Sequence, residues 1–88
     1  MPSIKDHCIE TKAALGSDWF CVHKWLDECA GVYWPSKMHR AHRHHRDGIE
    51  EVRKLWGDQA ADAARIHILA DMGVVLDTAE DVERKYRI

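Results

Sequence analysis

The sequence lacks long apolar segments, since no hydrophobic run approaches the roughly 18 residues that a membrane-spanning helix needs. It also lacks the charged, apolar and small-residue pattern of a secretory signal peptide. We therefore expect no membrane partner and a reducing, cytoplasmic location, which would be the host cytoplasm if the chain is phage-encoded.

The sequence offers no disulfide framework and no Cys-x-x-Cys or His-Glu-x-x-His motif. It contains three cysteines. Cys21 and Cys29 fall in one predicted helix, about 12 Å apart at about 1.5 Å per residue. A disulfide needs Cα atoms within roughly 7 Å, so these two cannot pair within that helix. We interpret the cysteines as small core residues.

The sequence has no excess of positive charge, because its formal net charge is −2. This excludes a uniformly basic nucleic-acid binder, and a nucleic-acid partner is not expected. Charge is uneven, however: residues 37–46 carry four basic residues, four histidines and no acid, whereas residues 58–81 are acidic. Such asymmetry indicates either an anion-facing patch or a solvated helix face, and the solvated face is the commoner outcome.

Strand patterns are absent apart from residues 74–76, which are too few to build a sheet. The 88 residues predict one all-α domain, a compact bundle of four to five helices spanning 1–88. Caps and glycines set the expected bounds: Ser3 to Leu15 before Gly16, Asp18 to about Ala30, Ser36 to about Trp56, Asp58 to Met72 before Gly73, and a short helix capped by Thr78.

Apolar spacing predicts which helix faces are buried. The first helix offers a sparse face of Ile4, Cys8, Ile9, Ala13 and Leu15. In the second, Trp19, Val22, Leu26, Cys29 and Ala30 form a stripe. The third buries a face that includes His42, His45, Ile49 and Val52. Gly48 costs that helix about 1 kcal/mol relative to alanine, so either a neighbouring backbone approaches it or the helix breaks there.

Histidine–aspartate pairs occur at the spacing of helical neighbours, His23 with Asp27 and His67 with Asp71. His67 and Asp71 lie among alanines on the apolar side of their helix, where an ionisable pair must be compensated. Asp71 also lies in the last turn, where the helix dipole disfavours a carboxylate. Two interpretations of the His67–Asp71 pair remain open: a structural ion pair and a metal site. For His23 and Asp27 we expect a half-exposed pair.

Imidazole and carboxylate together suit Zn, Fe, Mn or Ni better than Ca or Mg. Inward histidines and acids on facing helices are how bundle proteins build metal sites. His45, His67 and Asp71 are the first expected ligands, and Asp27 would orient His23 from behind the site. The full candidate set is His7, His23, His44, His45, His67 and Asp71. No residue is assigned a catalytic role.

Three arginines, Arg40, Arg43 and Arg46, share the outer side of the predicted third helix. They could bind phosphate through bidentate contacts. Solvated charge is the favoured interpretation, and no aromatic side chain interleaves with them.

The sequence resembles a family of small histidine-rich proteins of bacteria and their phages that has no settled activity. The matching segments are His7, residues 22–27, residues 39–45 with Gly48 and Ile49, residues 67–73, Thr78 and Asp81. Met38, His42 and Val82 depart from the family pattern, and residues 57–66 do not match it. The resemblance implies which residues cluster, leaves His42 out of the site, and implies a phage or prophage setting.

Three functions remain open. The first is a divalent-metal site that acts on a phosphate-containing ligand, in which Arg40 and Arg43 hold the phosphate and subunits of a homo-oligomer share the pocket. The second is a non-catalytic phage-type inhibitor or sequestering protein, with an anti-defence role, that binds a host protein or a signalling nucleotide through its basic and aromatic surface. The third is a histidine network that serves structure alone.

Overall fold

The computed structural model describes residues 3–28 and 43–86, with side chains to residue 85. No β-strand occurs in these residues, and the predicted all-α class is confirmed. None of the helices within the described ranges is long and apolar enough to cross a bilayer. The helices are α1 (Ile4–Leu15), α2 (Phe20–Leu26), α3 (Arg46–Trp56), α4 (Asp58–Met72) and α5 (Ala79–Tyr86).

The bounds of α1 are those predicted from its caps. Ser3 and Asp6 form a reciprocal capping box, and Gly16 ends the helix in the left-handed conformation with φ 84°. Its predicted apolar face is wrong in most positions, because the buried residues of α1 are His7 and Thr11 and Ile9 is 61% exposed, although Leu15 does pack against the core. The first helix thus presents polar groups to the interior.

The second helix is shorter than predicted. Its N-cap is Trp19 and not the predicted Asp18, although the Asp18 side chain accepts a hydrogen bond from the Phe20 amide at 3.1 Å. The helix ends at Leu26, however, and Asp27 is its C-cap, with its amide donating to the His23 carbonyl at 3.1 Å. The predicted continuation through Cys29 to Ala30 is therefore wrong at Asp27, and the last two residues lie outside the described ranges.

The predicted third helix is interrupted before Arg46. Residues 36–42 lie outside the described ranges, but His45 has an extended backbone (φ −155°, ψ 178°) and caps α3. Gly48 leaves room for the Arg43 backbone at this break, because a Cβ at this position would lie 1.9 Å from the carbonyl oxygen of Arg43. Of the two outcomes expected at Gly48, the approach of a neighbouring backbone is the one that occurs. The helix continues through Gly48, and its interruption lies earlier, at His44 and His45.

The fourth helix is the centre of the fold and contacts α1, α2 and α3. Four of its alanines are fully buried (Ala60, Ala61, Ala63 and Ala64), and such small side chains let neighbouring helices come close. Its bounds match the prediction, although Gly57 and not Asp58 is the N-cap. Thr78 caps α5 as predicted, since its hydroxyl accepts from the Asp81 amide at 3.2 Å.

Candidate metal centre

Four side chains from three parts of the chain bring one ligand atom each to a common point. Asp27 lies at the C-terminal end of α2, and His44 lies in the break before α3. His67 and Asp71 lie one turn apart on α4, so helical periodicity places them on the same face. One ligand atom from each residue lies within 4.8 Å of all the others.

Five of the six separations between these atoms are short and nearly equal. Nε2 of His67 lies 3.1 Å from Nε2 of His44, and 3.2 Å from both Asp27 Oδ1 and Asp71 Oδ2. Nε2 of His44 lies 3.3 Å from Asp27 Oδ1 and 3.2 Å from Asp71 Oδ2. Five of the six separations among four atoms therefore fall between 3.1 and 3.3 Å.

Hydrogen bonds alone cannot account for these five contacts. A carboxylate is acceptor-only, and each Nε2 carries at most one proton. The four atoms thus share at most two N–H donors, and an N–H pointed at one acceptor is misaligned for another. The cluster therefore has more close polar contacts than its N–H groups can satisfy with hydrogen bonds.

The centre is almost closed to water and is rich in negative charge. The side chains of His44 and His67 are fully buried, and those of Asp71 and Asp27 are 5% and 18% exposed. Burial alone raises the pKa of Asp71, but hydrogen bonds from His44 and His67, together with the nearby His7 ring, outweigh it and hold that pKa far below its usual range. Two buried carboxylates whose ligand oxygens lie within 4.8 Å of each other require a positive charge nearby.

The pKa of His67 is raised above its ordinary value. Burial by itself lowers it, but hydrogen bonds to the Asp27 and Asp71 carboxylates have the larger combined effect. The two carboxylates therefore favour a bound cation at His67 Nε2. A proton and a metal ion would compete for the lone pair of this atom.

A second layer of polar side chains backs the centre on the α1 and α2 side. The His7 ring stacks on the His67 ring with centroids 3.7 Å apart, and its Nε2 lies 3.2 Å from Asp71 Oδ1, without the alignment of a hydrogen bond. His23 Nδ1 lies 2.9 Å from His67 Nδ1. Burial, with the nearby His67 and His7, lowers the pKa of His23 to about 4.

The structure brings most of the predicted candidates together, but in different positions. His44, His67 and Asp71 lie at the centre, and Asp27 joins them in place of its expected role behind His23. His7 and His23 lie in the second layer. The expected half-exposed pair of His23 with Asp27 is wrong, because His23 is fully buried and bonds to Thr11 and His67.

His45 follows the candidate ligand His44 directly in sequence, but it caps a helix. Its Nδ1 accepts a hydrogen bond from the Gly48 amide at 3.1 Å and so caps α3. An imidazole nitrogen that accepts from an amide has its lone pair committed there.

The two described members of the predicted arginine face, Arg43 and Arg46, have different partners. Arg43 donates to the Trp25 carbonyl at 2.7 Å and to Glu28 at 3.0 Å, and its guanidinium lies 4.1 Å from the Trp25 ring centroid. Arg46 lies beyond the helix break and pairs with Asp77. A shared face for Arg43 and Arg46 is therefore wrong, and Arg40 lies outside the described ranges.

Thr11 was not expected to take part. Its hydroxyl lies 2.7 Å from the His7 carbonyl oxygen and 2.9 Å from His23 Nε2, and the residue is fully buried. The available signal was its position four residues after His7, on the same helix face.

A comparison with known families identifies the chain. The model of a family described as a domain of unknown function, DUF6915, matches residues 3–86. The chain therefore belongs to this family. No curated protein and no solved structure matches it.

Proposed function

We propose that this DUF6915 chain binds one divalent transition-metal ion through Asp27, His44, His67 and Asp71. The observation that carries the proposal is the set of five ligand–ligand separations of 3.1–3.3 Å, which exceeds what two N–H donors can satisfy. A single cation among the four atoms would satisfy all of them at once.

Five of the six ligand–ligand separations are close to those of tetrahedral coordination. Zinc bonds of about 2.0–2.1 Å to nitrogen and oxygen place neighbouring ligands of a tetrahedron about 3.3–3.4 Å apart. Two imidazoles and two carboxylates suit Zn first, then Fe, Mn or Ni. The ion's two positive charges would also balance the two buried carboxylates, so the loaded centre is neutral.

The arrangement favours a bound, stabilising metal over a hydrolytic one. A catalytic zinc keeps a coordination position open for water or substrate, whereas four protein ligands close a tetrahedral site. The ligands come from the end of α2, the segment before α3, and α4. One ion would therefore fasten three parts of an 88-residue chain whose own core is small.

Neighbouring histidines provide the sharpest test of this centre. We expect isothermal titration of the metal-free protein with Zn²⁺ to give one site per chain, and His44→Asn to weaken binding at least 100-fold, since the shorter side chain cannot reach the ion. His45→Asn is the matched control, because asparagine is itself a good N-cap and should preserve α3. Its zinc affinity should stay within about threefold, as expected for a residue outside the centre.

Two results would count against the proposal. One is the absence of zinc binding to the wild-type protein at micromolar concentration. The other is the reverse pattern, in which the His45 variant loses binding and the His44 variant keeps it. His45 would then be the ligand, as the sequence predicted on the assumption of an uninterrupted third helix.

A second candidate function rests on a groove of about 230 Å³ lined by Arg46, Arg53 and Arg65, with Ile49, Glu50 and Val75. We propose that it binds a phosphate-bearing ligand, replacing the expected Arg40–Arg43–Arg46 face. The arginines have acidic partners, including Glu50 of the groove itself, but these are well exposed: Asp77 by 69%, Asp58 by 92%, Glu50 by 51% and Asp62 by 53%. Exposed ion pairs contribute at most about 1 kcal/mol, so a phosphate can displace them.

Pyrophosphate binding to the metal-free protein tests this groove. We expect Arg65→Gln to weaken binding about tenfold, the loss of one charge-assisted hydrogen bond. Arg84→Gln is the matched control, since Arg84 forms the same i,i+3 exposed pair with Asp81 at 3.4 Å but does not line the groove. Equal affinity for both variants would remove the groove from the proposal.

The remaining expectations stay predictions. These are the host-protein partner, the signalling nucleotide, the homo-oligomer and the phage setting.

A further inference from the structure

A chain of buried polar contacts leads from the backbone of α1 to the metal centre. It runs from the His7 carbonyl oxygen to the Thr11 hydroxyl (2.7 Å), to His23 (2.9 Å) and on to His67 (2.9 Å). Thr11, His23 and His67 are all fully buried. The position of the proton in each link can be derived from the donors and acceptors that the link contains.

The first link fixes the hydroxyl proton of Thr11. A carbonyl oxygen can only accept, so at 2.7 Å the Thr11 O–H must donate to His7. The hydroxyl has one proton, and its remaining capacity toward His23 is that of an acceptor. Nε2 of His23 must therefore carry a proton and donate it to Thr11.

The second link transfers this constraint to His67. Two Nδ1 atoms 2.9 Å apart make a stable contact only when one carries a proton and the other does not. Since the proton of the neutral His23 ring is on Nε2, its Nδ1 is the acceptor. His67 Nδ1 then carries the proton, and the lone pair of a neutral His67 ring lies on Nε2, the atom at the centre.

We propose that Thr11 and His23 are positioning residues that hold His67 in the tautomer whose Nε2 lone pair faces the metal. This inference rests on the proposed metal-binding function. It assigns a role in binding to two fully buried polar residues of α1 and α2. Partners behind a metal-bound histidine fix its tautomer and ring orientation in the same way elsewhere.

Substitutions at Thr11 separate the hydroxyl from the volume it fills. Thr11→Val keeps the shape and removes the acceptor, whereas Thr11→Ser keeps the acceptor. We expect Zn²⁺ affinity to fall about 10- to 100-fold in the valine variant and to stay within about threefold of wild type in the serine variant. Rescue by serine is what a purely space-filling role would not give.

Nitrogen-15 NMR of the metal-free protein gives a second readout that does not depend on zinc. We expect His23 to be in the Nε2–H tautomer in the wild-type protein and the serine variant, and to shift toward Nδ1–H in the valine variant. A wild-type His23 in the Nδ1–H form overturns the inference, even if the valine variant does not fold. So does a folded valine variant with wild-type zinc affinity.

The two proposals fail in distinguishable ways. If wild-type protein binds no zinc, the metal-binding function fails while the His23 tautomer can still be measured. If zinc binds tightly and the His23 tautomer is reversed, only the positioning role fails.

Discussion

Saturation with zinc is expected to raise the melting temperature of this protein by roughly 10–20 °C over that of the chelator-treated protein. A ligand present at 100 times its dissociation constant stabilises the folded state by about 2.7 kcal/mol. For a domain of 60–100 residues, each kcal/mol shifts the melting temperature by about 4–8 °C. The effect is large because the ion would join the end of α2, the segment before α3, and α4 in a domain whose core is small.

Circular dichroism melts with zinc and with EDTA measure this shift, and two aspartates of α4 supply the comparison. Asp71→Asn removes a ligand and should abolish the zinc-induced shift. Asp62→Asn changes an exposed carboxylate, which pairs with Arg65 on the surface, and should keep it. The shift within each variant is compared, because Asp71→Asn also alters the metal-free protein. A full shift in the Asp71 variant would contradict the assignment of this carboxylate to the ion.

The parts of the fold that depend on local chemistry were predictable from the sequence. The ends of α1 follow from Ser3 and Gly16, and the end of α4 follows from Gly73, because each cap acts within one helical turn. The placement of His67 and Asp71 on one inward face is equally local, since it depends only on helical periodicity.

The parts of the site that depend on contacts between distant residues were not predictable. Sequence periodicity favoured His45 as a ligand because it assumed a continuous third helix. The break before Arg46 instead turns His44 toward the centre and leaves His45 as a cap. Similarly, Asp27 becomes available because α2 ends at Leu26, and its contact with His67 spans 40 positions. Neither contact has a signature in a single sequence.

Substitution of Gly48 tests the close contact between α3 and the Arg43 backbone at this break. Alanine normally stabilises a helix by about 1 kcal/mol relative to glycine. Here its Cβ would lie 1.9 Å from the Arg43 carbonyl oxygen, so the backbone of Arg43 must move. We expect Gly48→Ala to destabilise the protein by about 2–3 kcal/mol, the usual upper range for inserting a methyl group into a packed site. Urea denaturation of the metal-free protein measures it.

The same substitution should weaken the metal centre, although Gly48 contributes no ligand atom. Arg43 precedes His44 directly and donates hydrogen bonds to the Trp25 carbonyl and the Glu28 carboxylate near the end of α2. Displacing its backbone therefore shifts His44, and we expect zinc affinity to fall at least tenfold, because a ligand misplaced by about 0.5 Å no longer fits the ion.

Glu51→Ala is the control for both effects of Gly48→Ala, since Glu51 is an exposed residue of the same helix. Its stability should change by less than about 0.5 kcal/mol and its zinc affinity should not change. A Gly48 variant that is more stable than wild type, as helix propensity alone requires, would mean that Arg43 does not lie against α3. His44 would then lose the constraint that turns it toward His67, and the four-ligand centre would lose its geometric basis.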